Sequence, residues 1–173
     1  SLAFDSNAAQ LPERLAAARR GGHEALVEIG LESAAFPAAD PGPDGLISAL
    51  PVEENGLRLE RALAHGDVYV GVLLDGGDRY AASAAHLAAL AQAMNQMGLA
   101  TVATPQAAPF ETAGVRAPRA LIDVRIDDNA FRDRIEARLR QAETLARKRG
   151  AVVIVADATP LSLSMLADWM ASM

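Results

Sequence analysis

Residues 130–155 read AFRDRIEARLRQAETLARKRGAVVIV, and this stretch decides the fold class. Its first part carries apolar residues at the spacing of one helix face: Phe131, Ile135, Leu139, Ala142 and Ala146. Asp128 or Asn129 is expected to cap that helix at its start, and Gly150 is expected to end it. The apolar run at 151–155 follows at once and is typical of a parallel strand covered on both faces.

The same order of helix, glycine and apolar strand occurs three more times along the chain. The predicted helices lie at 8–20, 51–66 and 83–97, and the strands that follow them lie at 25–29, 68–72 and 99–103. Two further strands are predicted at 2–5 and 120–124, and a closing helix at 161–170. The closing helix is expected to bury Leu163, Leu166 and Trp169.

This alternation predicts an α/β fold with a parallel sheet, either a barrel or a doubly wound sheet. The 173 residues are expected to form a single domain, 1–173, because no linker or low-complexity segment divides them. No glycine-rich phosphate loop follows any predicted strand, which disfavours a nucleotide-binding sheet.

The composition excludes several classes of function. The formal net charge is −6, and the basic residues form no continuous stripe, which argues against nucleic acid and anionic membrane surfaces as partners. The chain has no cysteine, so disulfides, thiolate metal sites and cysteine nucleophiles are excluded. No uninterrupted run of 18 apolar residues occurs, so the sequence predicts no membrane-spanning helix.

Acidic residues follow almost every predicted strand: Asp5, Glu28 with Glu32, Asp75 with Asp78, Asp127 with Asp128, and Asp157. One interpretation is a site for a hard cation or for acid–base hydrolysis, since the carboxyl ends of parallel strands meet at one edge. The other is that these acids cap the following helices, which suits Asp5, Asp127 and Asp128 best. Both interpretations stay open. His23, His65 and His86 show no metal-binding spacing and are expected to be structural or solvated.

The run GHEALVEIGLE at 22–32, followed by Phe36-Pro37 and by DPGP at 40–43, resembles the divergent polysaccharide deacetylases. That bacterial family typically carries a GHE strand, a P-M-E turn and a DPGP loop at these spacings. The resemblance continues through residues 70–72, 97–99, 123–127 and 146–150 and therefore covers nearly the whole chain.

The resemblance implies a distorted (β/α) barrel of about seven strands. Its relatives are metal-dependent enzymes that remove acetyl groups from N-acetylglucosamine polymers. In those relatives an Asp and two His hold a metal, an Asp acts as the base on water, and a His acts as the acid on the leaving amine. It also implies a periplasmic or envelope location and a glycan or cell-envelope protein as partner. The family's first strand, which ends in an acidic IDD motif, has no counterpart before Ser1, so we expect an N-terminally incomplete domain.

The chain departs from the family pattern at the catalytic positions. Glu28 stands where relatives often carry a histidine, and LLDGGD at 73–78 stands where they carry N-N-H-x-G-S. Asp157 begins the segment that replaces a His-Pro motif, whereas Glu32 and Gly77 are retained. Leu73 and Leu74 in place of the asparagines are expected to make this edge locally more apolar.

These departures predict that the domain is catalytically inactive. Together with the resemblance, which implies the bacterial envelope, they predict a deacetylase-like domain that binds glycan or a protein partner. No cofactor is expected, although Glu28, Asp75 and Asp157 are weak candidates for a divalent metal. One alternative is a metal-dependent polysaccharide N-deacetylase that uses those three carboxylates. Another is a purely structural or regulatory interaction module, which exposed Leu73 and Leu74 would favour.

Overall fold

The computed structural model describes residues 1–64, 68–107, 114, 116 and 118–173. Within these ranges the chain is an α/β protein with short parallel strands and five α-helices. The elements in chain order are β1 Leu2–Asp5, α1 Leu11–Arg20, β2 Ala25–Leu31, α2 Val52–Ala62, β3 Gly71–Gly76, a 3₁₀ turn Tyr80–Ala82, α3 Ala84–Met97, β4 Ala100–Ala103, β5 Arg119–Leu121, β6 Val124–Arg125, α4 Arg132–Arg149, β7 Ile154–Val155 and α5 Pro160–Ala171.

The strands belong to two sheets. One has five strands in the order β1-β2-β3-β4-β5, and the other pairs β6 with β7 in parallel. The α/β fold with a parallel sheet is therefore confirmed. The described residues do not show these strands closing into one barrel, and the barrel of about seven strands stays a prediction. The chain divides into two compact units, Ser1–Ala120 and Leu121–Met173.

The first unit buries one face of its sheet at the central strands. On β2 and β3 this face carries Val27, Ile29, Val72 and Leu74, all without exposed surface. Leu11 and Leu15 of α1 and Leu59 of α2 are buried in the same unit. Side chains alternate between the two faces of a strand, so residues such as Glu28 point to the other face. That second face is where the candidate site lies.

Tyr80 follows β3 and has the largest fully buried side chain among the described residues of the first unit. Its ring meets the His86 ring edge-on, with 5.3 Å between the ring centroids. Burial raises the pKa of the Tyr80 phenol well above its ordinary value of 10, because the phenolate would lose its hydration.

We expect the free energy of unfolding to fall as the pH rises above 10. Burial favours the neutral phenol in the folded state. The stability that this residue contributes is therefore fully present below the pKa of the phenol in the unfolded chain, and it is lost as the pH rises above that value towards the higher pKa of the folded state. Urea denaturation of the wild type and of Tyr80→Phe between pH 8 and 11 measures this. The variant should show a weaker decline, and parallel pH curves for the two proteins would contradict the assignment.

The second unit is built around the long helix that the sequence predicts. Ile135, Leu139 and Ala142 of α4 pack with Val124, Ile126 and Met165 in one core, as the helical spacing indicates. Trp169 packs against that core, and its indole N–H donates a 2.7 Å hydrogen bond to the Glu143 carboxylate.

Two apolar residues of this unit do not lie where the periodicity places them. Phe131 is the N-cap of α4 rather than part of it, and its side chain is 71% exposed. Leu163 of α5 is half exposed, and Ser162 and Met165 are the buried residues of that helix. The neutral Ser162 takes a buried position because its hydroxyl is hydrogen-bonded.

The element boundaries follow the prediction most closely where glycine marks a helix end. Gly21, Gly98 and Gly150 each follow the last residue of a helix, and Gly98 and Gly150 have the positive φ that favours glycine. The strands are less well predicted. β3 covers 71–76 instead of 68–72, the segment predicted at 120–124 divides into β5 and β6, and β7 is only two residues long. The predicted end of the second helix, at 66, falls outside the described residues.

Candidate functional site

Three carboxylates lie on the second face of the five-stranded sheet, near the carboxyl ends of their strands. Asp5 of β1 is in register with Glu28 of β2, and Gly30 of β2 is in register with Asp75 of β3. Partners in register point to the same face, and positions two apart on one strand share a face, so Asp5, Glu28 and Asp75 share one face. Glu28 and Asp75 are half-buried, and Asp5 is exposed. We call these three residues the acidic rim.

Asp5 orders the turn that follows β1 and does not cap a helix. Its Oδ1 accepts hydrogen bonds from the Asn7 backbone N–H at 2.7 Å and from the Asn7 side-chain amide at 3.0 Å. The next helix begins at Leu11, and its N-cap, Gln10, provides no side-chain acceptor. The prediction that Asp5 caps this helix is therefore wrong. A six-residue separation leaves the carboxylate too far from the helix amides.

The DPGP loop, residues 40–43, packs directly against β2 beside the acidic rim. A Cβ atom on Gly30 would lie 2.8 Å from the Pro41 Cβ and 2.9 Å from the Pro41 carbonyl oxygen. Only glycine allows this approach without a shift. Asp40 accepts a 2.9 Å bond from the Gly42 N–H, which holds the turn. The loop therefore covers Gly30, which is the residue that pairs with Asp75 on the neighbouring strand.

Glu32, the retained family glutamate, is a buried connector between two loops. Its side chain is 1% exposed and accepts hydrogen bonds from the Ser48 N–H at 2.6 Å and from the Ser48 hydroxyl. Its other oxygen lies 3.2 Å from Nε of Arg79, in the loop after β3. The backbone of Glu32 also bonds to Leu46 and Tyr80. Glu32 therefore positions the loops around the acidic rim.

Two further polar residues hold the same loops. Asp78 accepts from the backbone N–H of Ala34 at 2.8 Å and so connects the loop after β3 to the loop after β2. Asn55, buried in α2, accepts from the Ile47 N–H and donates to the Ile47 carbonyl, both at 2.9 Å. Sequence reasoning missed Asn55. The sequence did contain a sign of its role, because Asn55 is a polar residue on the same helix face as the buried Leu59 and Ala62.

The remaining predicted acids lie in the second unit. Asp127 accepts from the Ser162 hydroxyl at 2.7 Å and from the Asp157 N–H at 2.8 Å. Asp157 is largely exposed and forms a 3.0 Å ion pair with Arg125. Asp128 pairs with Arg138 at 3.4 Å.

The expectation that Asp127, Asp128 or Asn129 caps α4 is wrong. The N-cap of that helix is Phe131, which provides no side-chain acceptor. The acids lie two or more residues before Phe131, and Asp127 and Asp128 instead form the contacts with Ser162 and Arg138.

The metal ligands that the sequence resemblance implies, an Asp and two His, do not come together in the part of the chain that the structure describes. No group of three His, Cys, Asp or Glu side chains within those ranges comes close enough to hold a metal ion. His86 lies on α3 and is hydrogen-bonded to the Leu50 carbonyl at 2.8 Å and to Ser83 at 2.6 Å. His23 is exposed at the opposite end of β2 from the acidic rim, and the third histidine, at 65, lies outside the described residues. The residues described here do not fit that metal.

None of the helices within the described ranges is both long and apolar enough to cross a bilayer.

The comparisons with known proteins agree with this fold. The family model of the divergent polysaccharide deacetylases matches residues 1–173. An uncharacterized protein of Agrobacterium tumefaciens C58, ATU2773, has a crystal structure that is similar to this chain with a TM-score of 0.89 and 30% sequence identity. The alignment covers 97% of this chain and 70% of that one. No curated protein matches the chain. Because the family model matches along the full sequence, this chain belongs to the divergent polysaccharide deacetylase family.

Proposed function

We propose that this chain is a deacetylase-like domain that binds N-acetylated glycan at the acidic rim and does not deacetylate it. One observation carries the proposal. Asp5, Glu28 and Asp75 share the less buried face of the sheet, at the edge where the family relatives are expected to present imidazoles. The two histidines within the described ranges lie elsewhere, in α3 and at the start of β2.

Amide hydrolysis needs groups that this edge does not offer. The carbonyl must be polarised, water must lose a proton, and the leaving amine must gain one. Ionised carboxylates accept protons and hydrogen bonds but donate none. Glu28 and Asp75 suit only the step in which water loses a proton. No described imidazole is placed to protonate the leaving amine.

The same carboxylates are well suited to binding sugar. Hydroxyl and acetamido N–H groups are hydrogen-bond donors, and ionised carboxylates accept from them more strongly than neutral groups do. The DPGP loop lies against Gly30 beside Asp75, and the buried Glu32 holds the neighbouring loops. These contacts favour a rigid acidic rim, and a binding site that is already ordered lowers the entropic cost of binding a ligand.

We expect chitooligosaccharides to bind the protein without release of acetate, with or without Zn²⁺, Co²⁺ or Mg²⁺. Glu28→Gln and Asp75→Asn should each weaken the binding measured by calorimetry about tenfold, because each replaces a charged acceptor by a neutral one. Glu53→Gln, at an exposed position of α2, is the matched control and should leave binding unchanged. Metal-stimulated acetate release would overturn the proposal, and so would unchanged binding in both rim variants.

The same assay tests a second candidate, a metal-dependent N-deacetylase that uses a carboxylate-rich site. The common face of Asp5, Glu28 and Asp75 offers the oxygen ligands that hard cations prefer. Against this candidate, no three acidic or imidazole side chains in the described part of the chain come close enough to hold an ion. Metal-dependent acetate release that disappears in Glu28→Gln and Asp75→Asn would establish it. Asp157, the third predicted ligand, belongs to the second unit and is paired with Arg125.

The third candidate, a purely structural or regulatory module, loses the feature that would favour it. Leu73 and Leu74 are 5% and 0% exposed, so these side chains are part of the core and do not form a surface patch. These two leucines stand where the family pattern has asparagines, and they expose almost no apolar surface. The family resemblance further supports a periplasmic or envelope location, which fractionation of cells producing the protein can test.

A further inference from the structure

Asn55 and Gly56 form the only asparagine–glycine pair in the sequence, since Asn7, Asn95 and Asn129 precede alanine or glutamine. An asparagine loses its side-chain amide most readily before glycine, because glycine has no side chain to hinder ring closure at its backbone nitrogen. Both residues of the pair lie near the start of α2. The sequence therefore places the most reactive asparagine of the chain inside a helix.

The folded chain prevents this reaction in two ways. The Asn55 side chain is 3% exposed, and its amide accepts from the Ile47 N–H and donates to the Ile47 carbonyl, both at 2.9 Å. The Gly56 nitrogen belongs to the hydrogen-bonded backbone of α2, and helical dihedral angles hold it away from Cγ of Asn55. The reaction therefore requires that this part of α2 opens.

The backbone at the start of α2 gives little resistance to such an opening. Its N-cap, Pro51, provides no side-chain acceptor, so the first backbone N–H groups lack the usual cap. Gly56 lowers the helix propensity of this region, and it has no side chain to pack there. The buried amide of Asn55 is the group that ties the turn to Ile47. When the turn opens, both of these bonds break and the reactive group is released.

We propose that the Asn55–Gly56 pair is a self-modification site that is closed in the folded chain and reacts when the start of α2 opens. In the open turn the Gly56 nitrogen attacks Cγ of Asn55 and loses its proton. The bond from Cγ to the side-chain nitrogen breaks, and ammonia leaves with that proton. Water then opens the cyclic imide at either carbonyl group, which yields aspartate or isoaspartate. Water is the only co-reactant, so the step needs no enzyme.

The products cannot restore the closed turn. Aspartate has no N–H to donate to the Ile47 carbonyl and places a charge at a buried position, and isoaspartate adds a methylene group to the backbone of α2. The neighbouring Ser48 binds the buried Glu32 through its N–H and its hydroxyl. Each conversion therefore loosens the loop that Glu32 connects, and it permanently marks a molecule in which α2 has opened.

Peptide mapping by mass spectrometry, after incubation at mildly alkaline pH, follows the loss of ammonia at each asparagine. In the urea-unfolded protein Asn55 should be the first asparagine to convert. In the folded protein its conversion should be about a hundredfold slower, at the unfolded rate multiplied by the open fraction that exchange of the Ile47 amide measures. Low, non-denaturing urea should change the folded-state rate only slightly, because a local opening exposes little surface.

Two variants and a control test the chemistry and its consequence. Gly56→Ala should suppress the conversion in both the folded and the unfolded protein, because the added methyl group hinders ring closure. Asn55→Asp imitates one product and should speed exchange of the Ile47 amide about tenfold, because the buried tie is lost. Asn129→Asp makes the same change at an exposed position and should leave that exchange unchanged. The wild-type rates test the inference even where Asn55→Asp does not fold.

The inference is wrong if Asn55 converts as quickly in the folded protein as in urea, or if Gly56→Ala keeps the wild-type rate. A steep rise of the folded-state rate in low urea would also contradict it, because the reaction would then follow global unfolding and not the opening of α2. None of these measurements uses a glycan. A failure of this site and a failure of the rim proposal are therefore seen separately.

Discussion

Glu32→Ala is expected to lower the free energy of unfolding by about 2–4 kcal/mol and to abolish chitooligosaccharide binding at the acidic rim. The substitution removes a 1% exposed carboxylate and leaves the Ser48 N–H and hydroxyl without their acceptor. Leaving buried donors unsatisfied accounts for most of this loss. The bond to Arg79 contributes less, because the Arg79 side chain is largely exposed.

Urea denaturation measures the stability change, and calorimetry with chitooligosaccharides measures the binding. Glu32→Gln keeps the side-chain volume and one acceptor for Ser48, so it should lose less than Glu32→Ala in both measurements. Glu53→Ala, a change of the same residue type at an exposed position, should alter stability by no more than about 0.5 kcal/mol. If Glu32→Ala behaves like Glu53→Ala, Glu32 is not the connector between the two loops.

Gly30→Ala is expected to destabilise the protein by about 2 kcal/mol and to displace the DPGP loop. The added Cβ would come within 2.8 Å of the Pro41 Cβ and 2.9 Å of the Pro41 carbonyl oxygen, closer than real contacts allow. Because Gly30 is in register with Asp75, the displaced loop should also weaken glycan binding. Hydrogen exchange of the Leu46 amide, which donates to the Gly30 carbonyl, reports the displacement.

Gly56→Ala provides a matched control with the opposite sign. Gly56 lies inside α2, and a Cβ there would meet nothing within 4 Å. Alanine at this position should stabilise the helix by roughly 0.5–1 kcal/mol and leave binding unchanged. A Gly30→Ala protein as stable as the wild type, with an unchanged Leu46 amide, would mean that the loop does not press on β2.

The α/β character of the fold could be predicted because its signals are local. The spacing of Ile135, Leu139 and Ala142 follows the helical period, and the structure buries all three. Gly98 and Gly150 end their helices with positive φ. Strand ends were less predictable because a strand ends where its hydrogen-bonded neighbour ends. β7, for example, pairs with β6 over only two residues of a five-residue apolar run.

The candidate site was predictable in part. The position of acids after strands indicated a common edge, and the register places Asp5, Glu28 and Asp75 on one face. The role of each acid was not predictable, because it depends on partners that are distant in the sequence. Glu32 bonds to Ser48 and Arg79, and Asp78 bonds to Ala34.

The sequence by itself determined the alternation of helices and strands, the family and the absence of histidines at the expected edge positions. Helical period, glycine stops and motif spacing are properties of neighbouring residues, so no tertiary contact was needed to recognise them. Only the tertiary structure decided that Glu32 is a buried connector and that Leu73 and Leu74 belong to the core. Burial and hydrogen-bond pairing arise from segments about 16 to 44 residues apart, and the packing of the chain alone brings those segments together.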